Sequence, residues 1–385
     1  MSAKSDVQRL AFLDGIRGWG ALVVFMYHLV ERFLAHADPR LVPTWSNFLF
    51  DGPFAVLVFF VVSGFALSYV NLDENRRDLT MAATARYFRL AIPVVITTFA
   101  GYCMLKAGLI INLEVSMQTG VSSDWLGRFF DFDPSLYSFV KFSFYNVFFA
   151  YYPDLSYNTN LWTISVEFLG SLVVYAYLSI FRREGARHWL VAVAMFAVFV
   201  KIAPYYACFM GGYLAAEASA KVKIAHSWSL VVELCALMVF YCVVLTITFH
   251  RPDTDAAMVI LATALVFSVT FSTPLRGIFS TRLSGFLGRI SFPFYLIHLF
   301  VICSWSAALF VWLPQAGISI LPAMAINIAT TLAISVGVSV ALLPMERFSV
   351  RYAKRIAAVV LGRAKLSTLL NIGLPRSDFV ERRSI

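Results

Sequence analysis

Residues 13–28 read LDGIRGWGALVVFMYH, an apolar segment with a cation near its beginning and an imidazole at its end. An ionisable side chain inside a lipid-crossing helix is costly unless it has a partner or a polar cavity, so His28 is by default a functional candidate. At about 100° per residue, Arg17 and His28 lie on one helix face, separated along the axis by about 16 Å. This face predicts a polar path from a membrane edge to mid-depth.

The composition agrees with a chain that crosses a membrane repeatedly. Hydrophobic residues make up 60% of the sequence and charged residues 14%, whereas soluble domains average about 25% charged residues. We predict an all-α polytopic membrane protein with about ten transmembrane helices, because ten apolar stretches approach or exceed the length needed to span. These stretches are 18–36, 52–72, 90–112, 160–181, 188–202, 203–218, 228–249, 256–273, 286–311 and 321–345. The short fifth and sixth stretches could instead form a tight hairpin or a re-entrant pair.

The lysines and arginines indicate the orientation. If the N-terminus is cytoplasmic, most of the 31 basic residues fall on the cytoplasmic side, as the positive-inside rule requires. We therefore expect both termini in the cytoplasm. The net charge of +9 is then an orientation and lipid-contact signal, and no nucleic-acid partner is predicted.

The chain is expected to contain a membrane-embedded domain, 10–350, and a basic cytoplasmic tail, 351–385. In the tail, basic residues are spaced to face anionic lipid along one side of a helix: Arg351, Lys354, Arg355 and Arg363. The aromatic segment 113–159 is interpreted as an interfacial belt, with a sugar-binding platform as the alternative. The five cysteines lie within predicted spans without a CxxC pair, so neither a metal site nor a disulfide framework is expected.

Four polar residues on four predicted helices fall at similar depth. Counting about 1.5 Å per residue places His28 and His298 roughly 16–18 Å from the cytoplasmic ends of their helices. Glu167 and Ser63 reach the same slab of the bilayer from the outer side. We therefore expect a shared polar cavity, although His298 could be a packing partner and Ser63, which precedes Gly64, could serve close helix packing.

Two arginines open the third apolar stretch. Arg86 and Arg89 stand at i and i+3, so they share a helix face and could clamp a phosphate group. The alternative interpretation is plain anchoring at the cytoplasmic surface.

Taken in order, these motifs resemble the acyltransferase-3 family of integral membrane acyltransferases, whose members modify sugars of bacterial surface glycans, antibiotics and lipids. The matching residues extend over about 10–350. They are LDGIRG with Arg17 and His28, FFVVSGF at 59–65, the pair Arg86 and Arg89, LWTISVE at 161–167 and YLIH at 295–298.

The resemblance implies an O-acyltransferase of the bacterial inner membrane. Its donor would be cytoplasmic acyl-CoA, acetyl-CoA by family habit, and its acceptor a hydroxyl of a glycan or other carbohydrate. His28 would act as general base or, in a variant mechanism, as covalent acyl carrier. Glu167 would orient the imidazole, and Arg17, held by Asp14, would stabilise negative charge on the donor. The remaining candidates are His298 as a catalytic residue, Arg86 and Arg89 at the CoA phosphates, and Ser63, Trp162, Ser165 and Tyr295 in the substrate cavity.

Two other classes of protein fit the same residues. Intramembrane histidine, glutamate and arginine also build proton relays, so a proton-coupled transporter or flippase of a glycan or lipid-linked sugar is the main alternative. The other is a scaffold or receptor whose polar groups only fix helix packing. Dependence on acyl-CoA separates the enzyme from both.

Overall fold

The computed structural model describes residues 3–72, 78–181, 188–221 and 226–365. This part of the chain is helical and contains no β-strand. Its α-helices are α1 (Ala3–Met26), α2 (Gly52–Tyr69), α3 (Leu79–Lys106), α4 (Asn112–Thr119), α5 (Leu136–Lys141), α6 (Val147–Phe149), α7 (Trp162–Phe181), α8 (His188–Ile202), α9 (Pro204–Lys221), α10 (His226–Phe249), α11 (Asp255–Phe271), α12 (Thr273–Phe279), α13 (Arg282–Val301), α14 (Ala307–Gln315), α15 (Ile320–Ala341) and α16 (Leu343–Val360).

Each of the ten predicted stretches contains a helix, but fewer have the length and composition of a membrane span. Among the described residues, seven helical segments qualify: Leu10–His36, Gly52–Tyr69, Leu79–Lys106, Thr159–Phe181, Ser229–Phe249, Arg282–Gln315 and Ile320–Val360. An eighth is obtained if α11 and α12, bent by 100° at their junction, form one span. Helix α8 is apolar but shorter. The membrane protein is therefore all-helical as predicted, whereas the count of ten spans stays a prediction.

The bundle has two distinct faces. We call proximal the face at which α1, α3 and α13 begin and α2 and α9 end, and distal the opposite face, which carries 32–51, 107–161 and 250–254. Ion pairs join neighbouring elements at each face. On the distal face Arg251 Nε lies 2.5 Å from Asp51, and on the proximal face His188 Nε2 lies 2.8 Å from Glu217. The contacts at both ends hold the helices in register.

Glycines allow close helix crossings around the site. Helix α2 crosses α9 at Gly64 and Gly212, where added Cβ atoms would lie 2.3 Å from the Phe209 carbonyl oxygen and 2.1 Å from the Val61 carbonyl oxygen. Helix α1 meets α13 in the same way, because a Cβ on Gly288 would lie 2.4 Å from the Asp14 carbonyl oxygen. Small residues at such crossings let the backbones pack directly. These crossings fix α1, α2 and α13 around the site.

Valine in place of Gly64 is expected to destabilise the bundle by about 3 kcal/mol or more, because its side chain would overlap the α9 backbone, which cannot move locally. Thermal unfolding of the purified protein in detergent measures the loss. Gly337→Val is the matched control, since nothing lies within 4 Å of the position of its Cβ. Equal unfolding temperatures for the two variants would contradict the packing role of Gly64.

The expected domain boundary at residue 350 falls inside α16, which runs to Val360. This helix packs against α3, with Ala353 and Ala357 buried, and Arg363 beyond it pairs with Asp78 at the start of α3. The first part of the basic segment therefore packs with the membrane helices, and a domain boundary at residue 350 stays a prediction. Residues 366–385 lie outside the described residues, and anionic-lipid contact of the tail stays a prediction.

Candidate active site

His28 and His298 are hydrogen-bonded to each other. The distance from His28 Nδ1 to His298 Nε2 is 2.9 Å, and His298 Nδ1 lies 3.0 Å from the Phe294 carbonyl oxygen. A carbonyl oxygen only accepts, so His298 Nδ1 carries a proton, and Nε2 of the neutral ring is an acceptor. His28 Nδ1 must then donate to His298. The lone pair of His28 therefore lies on Nε2, where it is free to accept a proton from a third group.

The local backbone around each histidine departs from a regular α-helix. His28 lies in a π-helical turn, Tyr27–Glu31, closed by a 2.8 Å hydrogen bond from Arg32 N to the Tyr27 carbonyl oxygen. A second π-helical turn, Ile302–Ser306, follows shortly after His298. Such turns are rare and occur often at functional sites, because they reorient side chains within a helix. His298 is fully buried, whereas the side chain of His28 is partly exposed.

A large cavity opens on the proximal face and runs toward this pair. Its volume is about 1690 Å³ including the mouth. Near the mouth it is lined by Asn71, Ala82 and Lys354, and at its inner end by Phe59 and Tyr295. The Tyr295 ring lies 6.0 Å from the His298 ring between centroids. The cavity thus ends one aromatic layer away from the two histidines.

Glu167 lies in this cavity and pairs with Arg86. The Arg86 guanidinium is hydrogen-bonded to the Glu167 carboxylate and to Ser171 Oγ, the latter at 2.9 Å. Ser63 Oγ donates to the same carboxylate. The network joins α2, α3 and α7 through two largely buried charges, with 10% of the Arg86 side chain and 18% of the Glu167 side chain exposed. It neutralises both charges inside the bundle.

The four polar residues predicted at matched depth therefore form two pairs rather than one cluster. His28 contacts His298, and Ser63 contacts Glu167. The Glu167 carboxylate is bound to Arg86 and Ser63, so its expected role in orienting the His28 imidazole stays a prediction without a direct contact among the described hydrogen bonds. Tyr295 separates the pairs, since it lines the cavity on one side and approaches His298 on the other.

The segment before α7 holds the turn of α13 that precedes His298. Asn158 Nδ2 donates to the Leu296 carbonyl oxygen at 2.7 Å, and Asn160 Nδ2 donates to the Tyr295 carbonyl oxygen at 2.9 Å. The Tyr295 hydroxyl lies 3.0 Å from the Thr163 hydroxyl. These bonds fix the inner end of the cavity relative to the histidine pair. Thr163, Tyr295 and Leu296 stand within the sequence motifs and Asn160 directly before one, whereas Asn158 stands outside them.

Charged residues also line the proximal part of the cavity. The predicted site residues Arg17, Arg89 and Asp14 line the cavity, and Glu346 of α16 lies close enough to all three to interact with them electrostatically. Glu346 was assigned to no site from the sequence. Trp162 and Ser165 do not line this cavity, and the Trp162 ring packs against Tyr205 at 5.7 Å instead.

Nothing in this geometry is arranged as a metal centre. Within the described ranges, no group of three or more histidine, cysteine, aspartate or glutamate side chains is placed to hold a metal ion. A paired histidine beside a deep cavity with arginines is instead suited to acid-base chemistry on an anionic substrate.

The chain is similar to known proteins. A family model described as an acyltransferase domain, that of the acyltransferase-3 family, matches residues 10–343. An O-acetyltransferase of Phomopsis amygdali, PaAT-1, is 25% identical over 358 residues, covering 75% of this chain and 71% of that protein. No solved structure matches the chain significantly. The chain therefore belongs to the acyltransferase-3 family and is an O-acyltransferase.

Proposed function

We propose that this protein transfers an acyl group from acyl-CoA to a hydroxyl of a carbohydrate acceptor, with His28 as general base. The observation that carries the proposal is the hydrogen-bond chain from His28 through His298 to the Phe294 carbonyl oxygen. It leaves a basic lone pair on His28 Nε2, on a partly exposed side chain next to a large cavity.

In the proposed reaction one proton is transferred twice, first from the acceptor hydroxyl to His28 and then from His28 to the leaving group. His28 Nε2 accepts the proton of the acceptor hydroxyl while that oxygen attacks the thioester carbonyl carbon. The carbon–sulfur bond then breaks, and the proton passes from the imidazolium to the leaving thiolate, which gives free CoA. A positioned general base typically contributes about 10²–10⁴-fold to such a rate. His298 is a positioning residue, because it fixes the tautomer and the direction of the His28 ring.

The donor is proposed to enter from the proximal face. Arg17 and Arg89 line the cavity there, and guanidinium groups suit the phosphates of CoA. Arg86 is a weaker candidate for this role, since its guanidinium is already bound to Glu167. The pantetheine arm would then pass Phe59 and Tyr295 to bring the thioester to His28. The similarity to an O-acetyltransferase supports acetyl as the group transferred.

The same proposal includes the orientation in the membrane. With ten spans and both termini cytoplasmic, the proximal face is cytoplasmic, where acyl-CoA is present. The acceptor glycan would approach from the distal face, outside a bacterial inner membrane. The distribution of basic residues in the sequence supports this orientation.

The test uses the purified protein in lipid vesicles with radiolabelled acetyl-CoA and a panel of glycan acceptors. We expect label in the acceptor, dependent on both substrates. Label that remains on the protein when acceptor is omitted would identify His28 as a covalent carrier instead. Movement of a glycan or lipid-linked sugar across the vesicle membrane without acyl-CoA, and no label transfer, would overturn the enzyme assignment in favour of the transporter.

A further inference from the structure

We propose that Trp125 stabilises the positive charge that forms on His28 during the reaction. In many enzymes with a catalytic histidine, a carboxylate has this role. The inference rests on the proposed role of His28 as general base. Trp125 lies in the loop between α4 and α5 and belongs to none of the sequence motifs. Its indole ring and the His28 ring are nearly parallel, with centroids 5.3 Å apart and planes 23° apart.

His28 needs such a partner because no acidic side chain pairs with it in the described part of the chain. Among the residues that the structure describes, none with a carboxylate is paired with His28. Glu167 is bound to Arg86, and Glu31, on the next turn, is attracted to the cations Arg32 and Arg251. His298 offers only a neutral lone pair. An imidazolium at this depth would therefore be poorly stabilised without a further contact.

An indole face supplies that contact. The face of an aromatic ring is electron-rich, and tryptophan is the strongest cation–π partner among side chains within about 6 Å of the cation. The interaction is worth most where water is excluded, and the partner ring of His298 is fully buried. The observed geometry also leaves His28 Nε2 available, because His298 occupies the Nδ1 side of the ring. Trp125 can act without blocking the acceptor hydroxyl.

The loop that carries Trp125 is fastened to the end of the His28 helix. Ser122, in a left-handed conformation at φ 52°, donates from Oγ to the Arg32 carbonyl oxygen at 2.6 Å. On the other side of Trp125, buried Asn112 donates to the Leu126 carbonyl oxygen at 2.7 Å. Hydrogen bonds on both sides of Trp125 therefore fix its position in the loop next to His28.

The same loop reduces an unfavourable charge. Arg32 is the cation closest to His28 in the chain, and its charge opposes a second positive charge on the imidazole. Asp124, next to Trp125, pairs with Arg32 at 3.1 Å. Neighbouring residues of one loop thus lower the cost of protonating His28 in two ways, by neutralising a nearby cation and by stacking an electron-rich ring.

This role predicts a specific kinetic effect. The imidazolium exists only after the acceptor hydroxyl has lost its proton, so Trp125 stabilises the transition state and not the bound substrates. Trp125→Leu is expected to lower kcat by about 30-fold while the KM for acetyl-CoA stays the same. Trp125→Phe, which keeps an aromatic face, should retain an intermediate rate. Trp45→Leu is the matched control, because Trp45 is 70% exposed and lies elsewhere on the distal face.

A second acceptor distinguishes charge stabilisation from packing. Hydroxylamine is nucleophilic without deprotonation, so its acylation does not require a protonated His28. We expect Trp125→Leu to acylate hydroxylamine at close to the wild-type rate while it acylates the glycan acceptor about 30-fold more slowly. The proposal would be overturned if Trp125→Leu lost equal rate with both acceptors. It would also be overturned if only the KM for acetyl-CoA changed, or if Trp125→Leu and the wild-type enzyme had equal rates. Failure of the proposed role of His28 would give a different result from failure of the Trp125 proposal, because His28→Ala would then keep full activity.

Discussion

Alanine in place of His28 is expected to lower the rate of acyl transfer by about 10²–10⁴-fold, with little change in stability. The substitution removes the only group whose lone pair the hydrogen-bond chain leaves available. The partner His298 keeps its bond to the Phe294 carbonyl oxygen, so the packing of α13 should persist. Transfer of radiolabel from acetyl-CoA to the acceptor measures the rate, and His250→Ala on the exposed end of α10 is the control. Unchanged transfer in His28→Ala would refute the mechanism.

Substitutions of His298 test the tautomer directly. His298→Gln places an amide oxygen where Nε2 accepts, so His28 Nδ1 can still donate and the lone pair stays on Nε2. His298→Leu removes the acceptor and frees the ring of His28 to rotate or change tautomer. We expect the leucine variant to lose about 10²-fold in rate and the glutamine variant to lose less. The reverse order would show that His298 acts on substrate and not through His28.

The depth of the site residues could be predicted from the sequence, because the rise of an α-helix per residue is nearly constant. Counting residues placed His28 and His298 at equal depth, and the structure has them 2.9 Å apart. The same counting placed Ser63 and Glu167 together, and they are hydrogen-bonded. The helical fold also followed from the sequence, since its apolar stretches are long enough to span as helices, which pair their backbone polar groups internally in a bilayer.

Rotation about the helix axes and the paths of loops could not be predicted in this way. Residues at equal depth can face different neighbours, which is why Glu167 contacts Arg86 and not His28. The position of Trp125 depends on a left-handed residue, Ser122, and on a buried asparagine, Asn112, and neither carries a recognisable pattern in one sequence. Glu346 was missed because it stands in none of the five motifs, whereas α16 places it at the cavity.

The ion pair between Arg86 and Glu167 is expected to give the largest loss of stability of any site substitution. Glu167→Gln leaves the Arg86 charge among two serines inside the bundle, and breaking a buried pair from one side costs about 3–5 kcal/mol. Thermal unfolding in detergent measures this loss. Asp133→Asn is the control, because Asp133 pairs with Lys106 on the surface, where such pairs contribute about 1 kcal/mol or less.

Removal of both charges separates their structural role from a role in binding the donor. Arg86→Met combined with Glu167→Met leaves no unpaired charge, and replacing both partners of a buried pair by apolar residues is often neutral. We therefore expect the double variant to be more stable than Glu167→Gln alone. If acyl transfer returns with stability, the pair serves to hold α2, α3 and α7 around the cavity. If stability returns but the KM for acetyl-CoA rises, the Arg86 guanidinium also contacts donor phosphate, as its spacing with Arg89 indicates, and the carboxylate of Glu167 orients it for that contact.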